Sequence, residues 1–229
     1  MFCAIIVAAG SSRRAGFDKL AAPLCGAPVL CRSVSAFARA GAEALVLVCP
    51  EERWEALRPW QFAAGVPLLR VDGGAERQDS VRAGLAALPA GAEWVAVHDA
   101  ARPLITPGGI RACLAAAQEA GAAACAHPVV DTLKRACPDT GLTLREPVSR
   151  ECLWAMETPQ IFRVELLRRA YAEVAAQGAV ITDEVSALER VGVQTRLVQT
   201  GRPNLKITLP GDLELAELIF SHAERTKEP

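Results

Sequence analysis

A strong net charge, a long apolar run and paired cysteine motifs are all missing from this 229-residue chain. The formal net charge of −1 excludes the broad basic surface that duplex nucleic acid requires, so phosphate affinity must come from local clusters. No stretch reaches the length of a membrane span. The apolar start at 2–7 has no charged segment before it and does not fit a secretory signal. We therefore expect a soluble cytoplasmic protein.

Eight cysteines are present, but none forms a C-x-x-C pair. That spacing argues against a zinc site, and in a reducing compartment such thiols behave as small buried hydrophobes. The cysteines are Cys3, Cys25, Cys31, Cys49, Cys113, Cys125, Cys137 and Cys152.

Continuous apolar runs alternate with helical patterns along most of the chain, as expected when both faces of a parallel sheet are covered. The predicted strands are Cys3–Val7, Ala44–Val48, Leu68–Val71, Trp94–Val97, Ala123–Ala126, Gln194–Val198 and Asn204–Thr208. The predicted helices are Val29–Arg39, Glu51–Trp60, Ser80–Ala87, Pro107–Ala120, Val164–Gln177, Asp183–Val191 and Pro210–Glu224. Pro28 and Pro107 suit a first helical turn, and Gly41 and Gly121 suit a helix end. The order predicts one α/β domain with a doubly wound, mostly parallel sheet.

The alternation breaks at 129–152, which is polar, rich in turn residues and too long for an ordinary connection. We interpret it as a projecting β-hairpin, or arm, with its turn at 138–141. The simpler alternative is a solvent-exposed surface loop that contacts no partner. An arm with its own threonine and arginine side chains more often contacts something, such as a second subunit.

The first loop, 8–14, follows the first predicted strand with small residues and then cations. Ala8, Ala9 and Gly10 have little or no side chain, so a ligand can approach the backbone N–H groups closely. Arg14 and Lys19 add positive charge. The loop is neither G-x-G-x-x-G nor a P-loop, which argues against a dinucleotide-dependent dehydrogenase. A tight turn with solvated cations is the alternative, but three cations within seven residues, Arg13, Arg14 and Lys19, beside a glycine turn favour polyphosphate binding.

A second loop, 72–81, also follows a predicted strand. Gly73 and Gly74 allow φ > 0 and close ligand approach, and Asp79 or Ser80 is suited to cap the next helix. A glycine turn with a cap would explain most of this. Its position at the same sheet edge as the first loop favours a shared ligand, because open α/β sheets bind ligands at the carboxyl ends of their strands.

A third loop carries His98, Asp99 and Arg102. Asp99 could bind a ribose hydroxyl or assist a metal ion, and Arg102 could bind a phosphate with two nitrogens. A local ion pair between Asp99 and Arg102 is the alternative, and we interpret His98 as structural. Weaker candidates come later: Thr158 precedes Pro159, and Lys206 lies in the last predicted strand. A further helix opens at 182–184, where capping by Thr182 or Asp183 is the simplest role.

Taken in order, these residues resemble a known family. The motifs are Ala-Ala-Gly followed by Arg-Arg and Lys, Gly-Gly-x-x-Arg-x-x-Ser, His-Asp-Ala-Ala-Arg-Pro, Asp-Thr-x-Lys-Arg, Thr-Pro-Gln, Thr-Asp-Glu and Asn-x-Lys-x-Thr. Each is weak alone, but seven in order resemble the 2-C-methyl-D-erythritol 4-phosphate cytidylyltransferases from about Ala4 to Ile219. The resemblance implies a Rossmann-like nucleotidyltransferase domain that uses CTP and Mg²⁺ and forms a homodimer through the arm.

The resemblance also implies a role for each candidate. The catalytic cations would be Arg14, Lys19 and Lys206. The nucleotide would contact Ala8, Ala9, Gly10, Ser11, Gly74, Ala75, Ser80 and Asp99, with Mg²⁺ held mainly by the CTP phosphates near Asp99. The polyol phosphate acceptor would contact Arg102, Thr158 and Thr182, with Thr132 and Arg150 supplied by the arm of the neighbouring subunit. Two other interpretations stay open: a cytidylyltransferase for a pentitol phosphate such as ribitol 5-phosphate, and a non-catalytic nucleotide-binding domain.

Overall fold

A central β-sheet organises the residues that the computed structural model describes, which are 1–10, 16–137 and 143–225. The strands are β1 (Phe2–Val7), β2 (Pro23–Leu24), β3 (Ala27–Pro28), β4 (Ala44–Val48), β5 (Leu68–Val71), β6 (Trp94–Asp99), β7 (Ala122–Pro128), β8 (Leu133–Cys137), β9 (Thr143–Val148), β10 (Trp154–Arg163) and β11 (Arg196–Val198). The helices are α1 (Val29–Ala40), α2 (Glu51–Leu57), α3 (Arg77–Ala86), α4 (Pro107–Ala120), α5 (Val164–Ala176), α6 (Glu184–Glu189) and α7 (Pro210–Arg225), with a 3₁₀ turn at Pro59–Phe62.

The main sheet runs in the order β11-β7-β10-β6-β1-β4-β5. Strand β1 pairs in parallel with both β4 and β6, whereas β10 is antiparallel to both of its neighbours. The prediction of a mostly parallel α/β sheet is therefore confirmed. The carboxyl ends of β1, β5 and β6, where the three candidate loops begin, lie at one edge.

Helices cover both faces of the sheet, which explains why the strands are apolar throughout. On one side of β1, Ala4 and Ile6 join the core formed with α1 and α4; on the other, Cys3 and Ile5 join the core formed with α3 and α5. All four side chains are fully buried. Burying an isoleucine contributes about 1.5–3 kcal/mol, so the strand that leads into the first loop is firmly held.

Glycine and proline end and begin helices largely as the sequence predicts. Gly41 and Gly121 follow α1 and α4 with φ of 94° and 85°, the left-handed conformation that glycine adopts without strain. Pro107 is the first residue of α4, and the Thr106 hydroxyl accepts from the N–H of Gly109 at 3.0 Å. Pro28, in contrast, lies one residue before α1 rather than in its first turn.

Strand β10 is the main element that the sequence pattern did not predict. It lies between β6 and β7, and its pairing with β7 shifts between Met156 and Gln160. Polar residues and Pro159 interrupt the apolar pattern there, and the Thr158–Pro159 peptide bond is cis. The sequence pattern does not indicate this strand, because polar side chains near the candidate site replace part of the apolar run that a buried strand normally shows.

Three predicted elements differ from the structure in extent or kind. The expected strand Asn204–Thr208 forms no strand pairing; Ile207 makes one backbone bond, N–H to the Ala101 carbonyl at 2.9 Å. The expected helix Glu51–Trp60 ends at Leu57, because Arg58 takes a left-handed conformation with φ of 45°. Helix α3 begins three residues before the predicted Ser80.

The arm is present as a hairpin of β8 and β9. Most of its side chains are exposed, and Arg135 pairs with Glu146 at 2.8 Å. The predicted turn at 138–141 lies outside the described residues. Across the described ranges, no helix is both long and apolar enough to cross a bilayer.

Candidate active site

A cleft of about 700 Å³ opens at the carboxyl edge of β1, β5 and β6. That volume suits a small-molecule ligand. Residues from the first, second and third loops line it together with two lysines. The lining residues are Val7, Ala8, Ala9, Gly10, Lys19, Leu20, Gly74, Ala75, Glu76, Arg77, Ser80, Asp99, Ala101 and Lys206.

The first loop is tied to the neighbouring strand and helix. The N–H of Ala8 donates to the Val48 carbonyl at 2.8 Å, which continues the β1–β4 pairing by one residue. Arg53, on α2, donates to the Ala8 carbonyl and pairs with Asp18 at 3.3 Å. Ala9 and Gly10 then face the cleft. The sequence did not point to Arg53, because a lone cation on a helix carries no motif.

Two further predicted residues of this loop, Ser11 and Arg14, lie outside the described residues. Lys19 lies within them and lines the cleft. Its Nζ donates to the Ile207 carbonyl at 2.7 Å, across 188 residues of sequence. Lys19 and Lys206 thus line the same cleft although they lie near opposite ends of the sequence.

The second loop is built by close packing rather than by left-handed glycines. A Cβ on Gly73 would come within 2.3 Å of the Ala9 Cβ, and a Cβ on Gly74 within 2.2 Å of the Asp79 Cβ. Neither glycine has a positive φ, so that part of the sequence argument was wrong. Both positions exclude a side chain because the loop packs directly against its neighbours.

The cap of α3 also differs from the prediction. Glu76 is the capping residue, and the Asp79 carboxylate accepts from the Glu76 N–H at 3.2 Å. The buried Ser80 hydroxyl accepts from the Gly74 N–H at 3.2 Å and donates to the Glu76 carbonyl at 3.3 Å. Ser80 therefore fixes the loop that lines the cleft.

Asp99 forms two ion pairs across the cleft floor. Its Oδ1 accepts from Arg77 Nε at 3.0 Å, and its Oδ2 accepts from Lys206 Nζ at 2.6 Å. Burial alone would raise the pKa of Asp99, but Arg77 and Lys206 hold it well below its usual range. The alternative of a local pair with Arg102 is not what the structure shows.

Arg77 connects this floor to a buried carboxylate. Its two terminal nitrogens donate to Glu184 at 2.7 and 3.1 Å, and the Tyr171 hydroxyl donates to the same carboxylate at 3.0 Å. The Glu184 side chain is fully buried. Burial lowers the pKa of Arg77, but Glu184 and Asp99 outweigh it and raise the pKa above its ordinary value. Sequence reasoning missed the pair; its only signal was their place in the Gly-Gly-x-x-Arg and Thr-Asp-Glu motifs.

His98 and Thr158 support Asp99 from behind. The Arg102 carbonyl can only accept, so His98 Nε2–H donates to it at 3.2 Å. His98 Nδ1 then accepts from the Thr158 hydroxyl at 3.0 Å, while that oxygen accepts from the Asp99 N–H at 3.0 Å. Burial lowers the pKa of His98 to about 3, so the ring is neutral. Thr158 is thus buried beneath the cleft, and the structural interpretation of His98 is supported.

Arg102 lines a second cavity of about 500 Å³ that shares Lys206 with the main cleft. It donates to the Asn204 carbonyl at 2.7 Å, and the Met156 carbonyl lies 3.4 Å from its other terminal nitrogen. Glu157 lines the same cavity, where its carboxylate accepts from His127 Nδ1 at 2.7 Å and from the Asn204 side-chain amide at 3.0 Å.

The remaining predicted contacts lie away from the cleft within one chain. Thr182 is exposed beside a shallow depression with Ile181 and Arg190, and Asp183, not Thr182, caps α6. Thr132 is exposed at the base of the arm. Arg150, at the opposite base, donates to the Val130 carbonyl. No group of three His, Cys, Asp or Glu side chains in the described segments is placed to hold a metal ion.

A doubly wound sheet with small-residue and glycine loops, lysines and a paired aspartate at its carboxyl edge defines a nucleotide-binding α/β protein. The model of the family "IspD: 2-C-methyl-D-erythritol 4-phosphate cytidylyltransferase" matches residues 2–222. The chain therefore belongs to this family and is a nucleotidyltransferase.

Individual relatives agree with the family match. The 2-C-methyl-D-erythritol 4-phosphate cytidylyltransferase of Symbiobacterium thermophilum is 41% identical over 225 residues, covering 96% of this chain and 93% of the relative. That of Deinococcus radiodurans is 43% identical over 222 residues, covering 96% and 90%. The crystal structure of the Thermus thermophilus enzyme of the same name has a TM-score of 0.76 and 30% identity, covering 95% of this chain and 98% of that one.

Proposed function

We propose that this chain transfers the cytidylyl group of CTP to 2-C-methyl-D-erythritol 4-phosphate in non-mevalonate isoprenoid biosynthesis. A phosphate oxygen of the acceptor attacks the α-phosphorus of CTP. The bond from that phosphorus to the bridging oxygen breaks, and its electron pair leaves with pyrophosphate. The products are 4-diphosphocytidyl-2-C-methyl-D-erythritol and pyrophosphate. The attacking phosphate is already anionic, so the reaction needs no general base.

The observation that carries this proposal is the meeting of Lys19 and Lys206 in one cleft. Two polyanions repel each other, and preorganised cations lower that cost and hold the attacking and leaving oxygens in line. The family match supports the same chemistry. Arg14, which precedes Lys19 by five residues, would add a third cation to this set.

The nucleotide end of the cleft is lined by backbone and small side chains. Ala8, Ala9 and Gly10 line this end together with Gly74 and Ala75. Such walls admit a flat base and offer N–H and carbonyl groups to its edge. We assign cytosine to this end, with Ser80 holding the loop, Ser11 beside the phosphates and Asp99 near the ribose.

Mg²⁺ fits this site mainly as a partner of the CTP phosphates. Asp99 and Glu76 are carboxylates that line the cleft, and both oxygens of Asp99 already accept from cations. Mg²⁺ is commonly held by one or two carboxylates together with substrate phosphates and water. When bound, the ion would neutralise phosphate charge, while Lys19 and Lys206 position the phosphates.

The acceptor is assigned to the side of the cleft where Arg102 and Lys206 meet. The Thr158 hydroxyl accepts from the Asp99 N–H, and Thr182 is exposed beside a separate depression. We propose that residues 1–229 form one domain and that the arm at 129–152 crosses to a second copy, so that Thr132 and Arg150 complete the neighbour's acceptor site. The exposure of Val130 (73%) and Leu144 (74%) on this segment supports a protein contact. A cytoplasmic location remains part of the proposal.

Family membership does not favour a pentitol phosphate acceptor or a non-catalytic role. The deciding experiment incubates the purified protein and Mg²⁺ with CTP and 2-C-methyl-D-erythritol 4-phosphate, and separately with CTP and ribitol 5-phosphate. Phosphorus NMR and mass spectrometry identify the products. Formation of the cytidine diphosphate diester and pyrophosphate from the first acceptor supports the proposal. Preference for ribitol 5-phosphate, or no turnover of either, contradicts it.

A further inference from the structure

All three guanidinium nitrogens of Arg77 donate hydrogen bonds to two carboxylates, those of Glu184 and Asp99. The terminal nitrogens bind Glu184 in a two-point contact at 2.7 and 3.1 Å, and Nε binds Asp99 at 3.0 Å. A guanidinium has a fixed planar shape, so this arrangement sets the position of Asp99 relative to Glu184. Arg77 is therefore a rigid link between the buried core of the protein and the floor of the cleft.

Glu184 is in turn held from several sides. The Tyr171 hydroxyl donates to its carboxylate at 3.0 Å, and Gln160 Oε1 accepts from its backbone N–H at 3.1 Å. Its side chain is fully buried, whereas that of Lys206 is 38% exposed. The fixed end of the network is thus in the core, and its accessible end is the ammonium group in the cleft.

The four groups balance in charge, because Arg77 and Lys206 carry two positive charges against the two carboxylates. Without the guanidinium, Lys206 would be the cation left on Asp99 in this network, at 2.6 Å. The positive charge of Lys206 would then neutralise Asp99 and would not be available to a ligand. With Arg77 present, the negative charge of Asp99 is shared.

We propose that Arg77, oriented by Glu184, is a positioning residue that fixes and partly neutralises Asp99, so that the Lys206 ammonium stays available to the reacting phosphates. This inference rests on the proposed function, since it gives Lys206 a role toward those phosphates. Arg77 itself acts through Asp99 and need not touch the phosphorus. The expected consequence is a loss of kcat that depends on Lys206.

The test is a double-mutant cycle of Arg77→Lys and Lys206→Ala, read by pyrophosphate release under saturating substrates. Lysine keeps the charge but cannot bind both carboxylates as the guanidinium does. Arg77→Lys alone should lower kcat about tenfold, below the roughly hundredfold that a full 1 Å misplacement of a catalytic group can cost. In the Lys206→Ala background the same change should cost less than about twofold. Arg82→Lys, on the same helix and paired with Asp79 in an exposed contact, is the matched control.

A second variant tests whether a loss of activity reflects a loss of folded protein. Arg77→Met with Glu184→Leu removes the ion pair without leaving a buried lone charge, a change that is often neutral for stability. We expect it to retain a cooperative melting transition and to show the same tenfold loss of kcat. Full kcat in this folded variant, or an equal loss from Arg77→Lys with and without Lys206, would overturn the inference. A wild-type protein without turnover would overturn the proposed function as well, so the two failures differ.

Discussion

Lys206 donates to Asp99 at 2.6 Å although 107 residues separate them in sequence. The aspartate is at the end of a buried strand, and the lysine lies in a segment without helix or strand after the last strand of the sheet. The pair places a cation at the cleft floor before any substrate arrives. Preorganisation of this kind removes the cost of reorienting a charge during the reaction.

Close packing of the second loop predicts that Gly74 tolerates no side chain. In Gly74→Ala the new methyl would lie 2.2 Å from the Asp79 Cβ and 3.2 Å from its backbone carbonyl carbon, so the loop must shift. We expect a loss of about 1–3 kcal/mol in the free energy of unfolding and a several-fold higher KM for CTP. Thermal unfolding and steady-state kinetics measure both.

The matched control is Gly211→Ala near the start of α7. Nothing lies within 4 Å of a Cβ there, and the residue has no positive φ. This variant should be neutral or stabilised by up to about 1 kcal/mol. If both substitutions had the same effect, packing would not be the reason for Gly74.

Burial of neutral His98 predicts a component of acid destabilisation. Its pKa is about 3 in the folded protein, against about 6.5 when unfolded. Between these values the unfolded chain binds the extra proton, so the free energy of unfolding should fall as the pH drops from about 6.5 toward 3. His98→Gln keeps a donor for the Arg102 carbonyl and removes this titration. Urea unfolding across the range should show a shallower pH dependence in the variant; an unchanged slope would exclude the assignment.

The proposed crossing arm predicts complementation between two inactive variants. In a mixed dimer of Arg150→Ala and Lys206→Ala subunits, one site carries both defects and the other carries neither. An equal mixture that exchanges freely should recover about a quarter of the wild-type activity, because half of the dimers are mixed and each has one intact site.

The two variants assayed separately are the control for this experiment. If mixing, after exchange is confirmed by tagged subunits, gives only the average of the separate activities, then Arg150 acts within its own chain or not at all. Sedimentation of the wild-type protein as a monomer would exclude the arm interface directly.

The sequence predicted those features that depend on local pattern. Strands β4 and β5 and helix α4 have the expected bounds, because buried apolar runs and the Pro107 and Gly121 signals are read from neighbouring residues. Nine of the candidate site residues that the structure describes line the cleft, and these residues follow strand ends or, like Lys206, belong to a recognisable motif. Parallel topology brings those strand ends to one edge without further information.

Features that depend on distant partners could not be predicted in this way. The link from Arg77 to Glu184 spans 107 residues, and nothing near either residue indicates the other. Strand β10 is polar where it passes the site, so its pattern resembles a loop. The Asp99–Arg102 pair was plausible from spacing alone, but Arg77 and Lys206 occupy the carboxylate instead.

The most direct test of the central claim is the effect of Lys206→Ala on kcat and on melting temperature. If Lys206 stabilises the charge that builds on the reacting phosphates, kcat should fall roughly a hundredfold or more. The melting temperature should stay within a few degrees, since the lysine side chain is partly exposed and Asp99 keeps its contact with Arg77. A wild-type kcat, or a loss of activity that only parallels a loss of folded protein, would contradict the account.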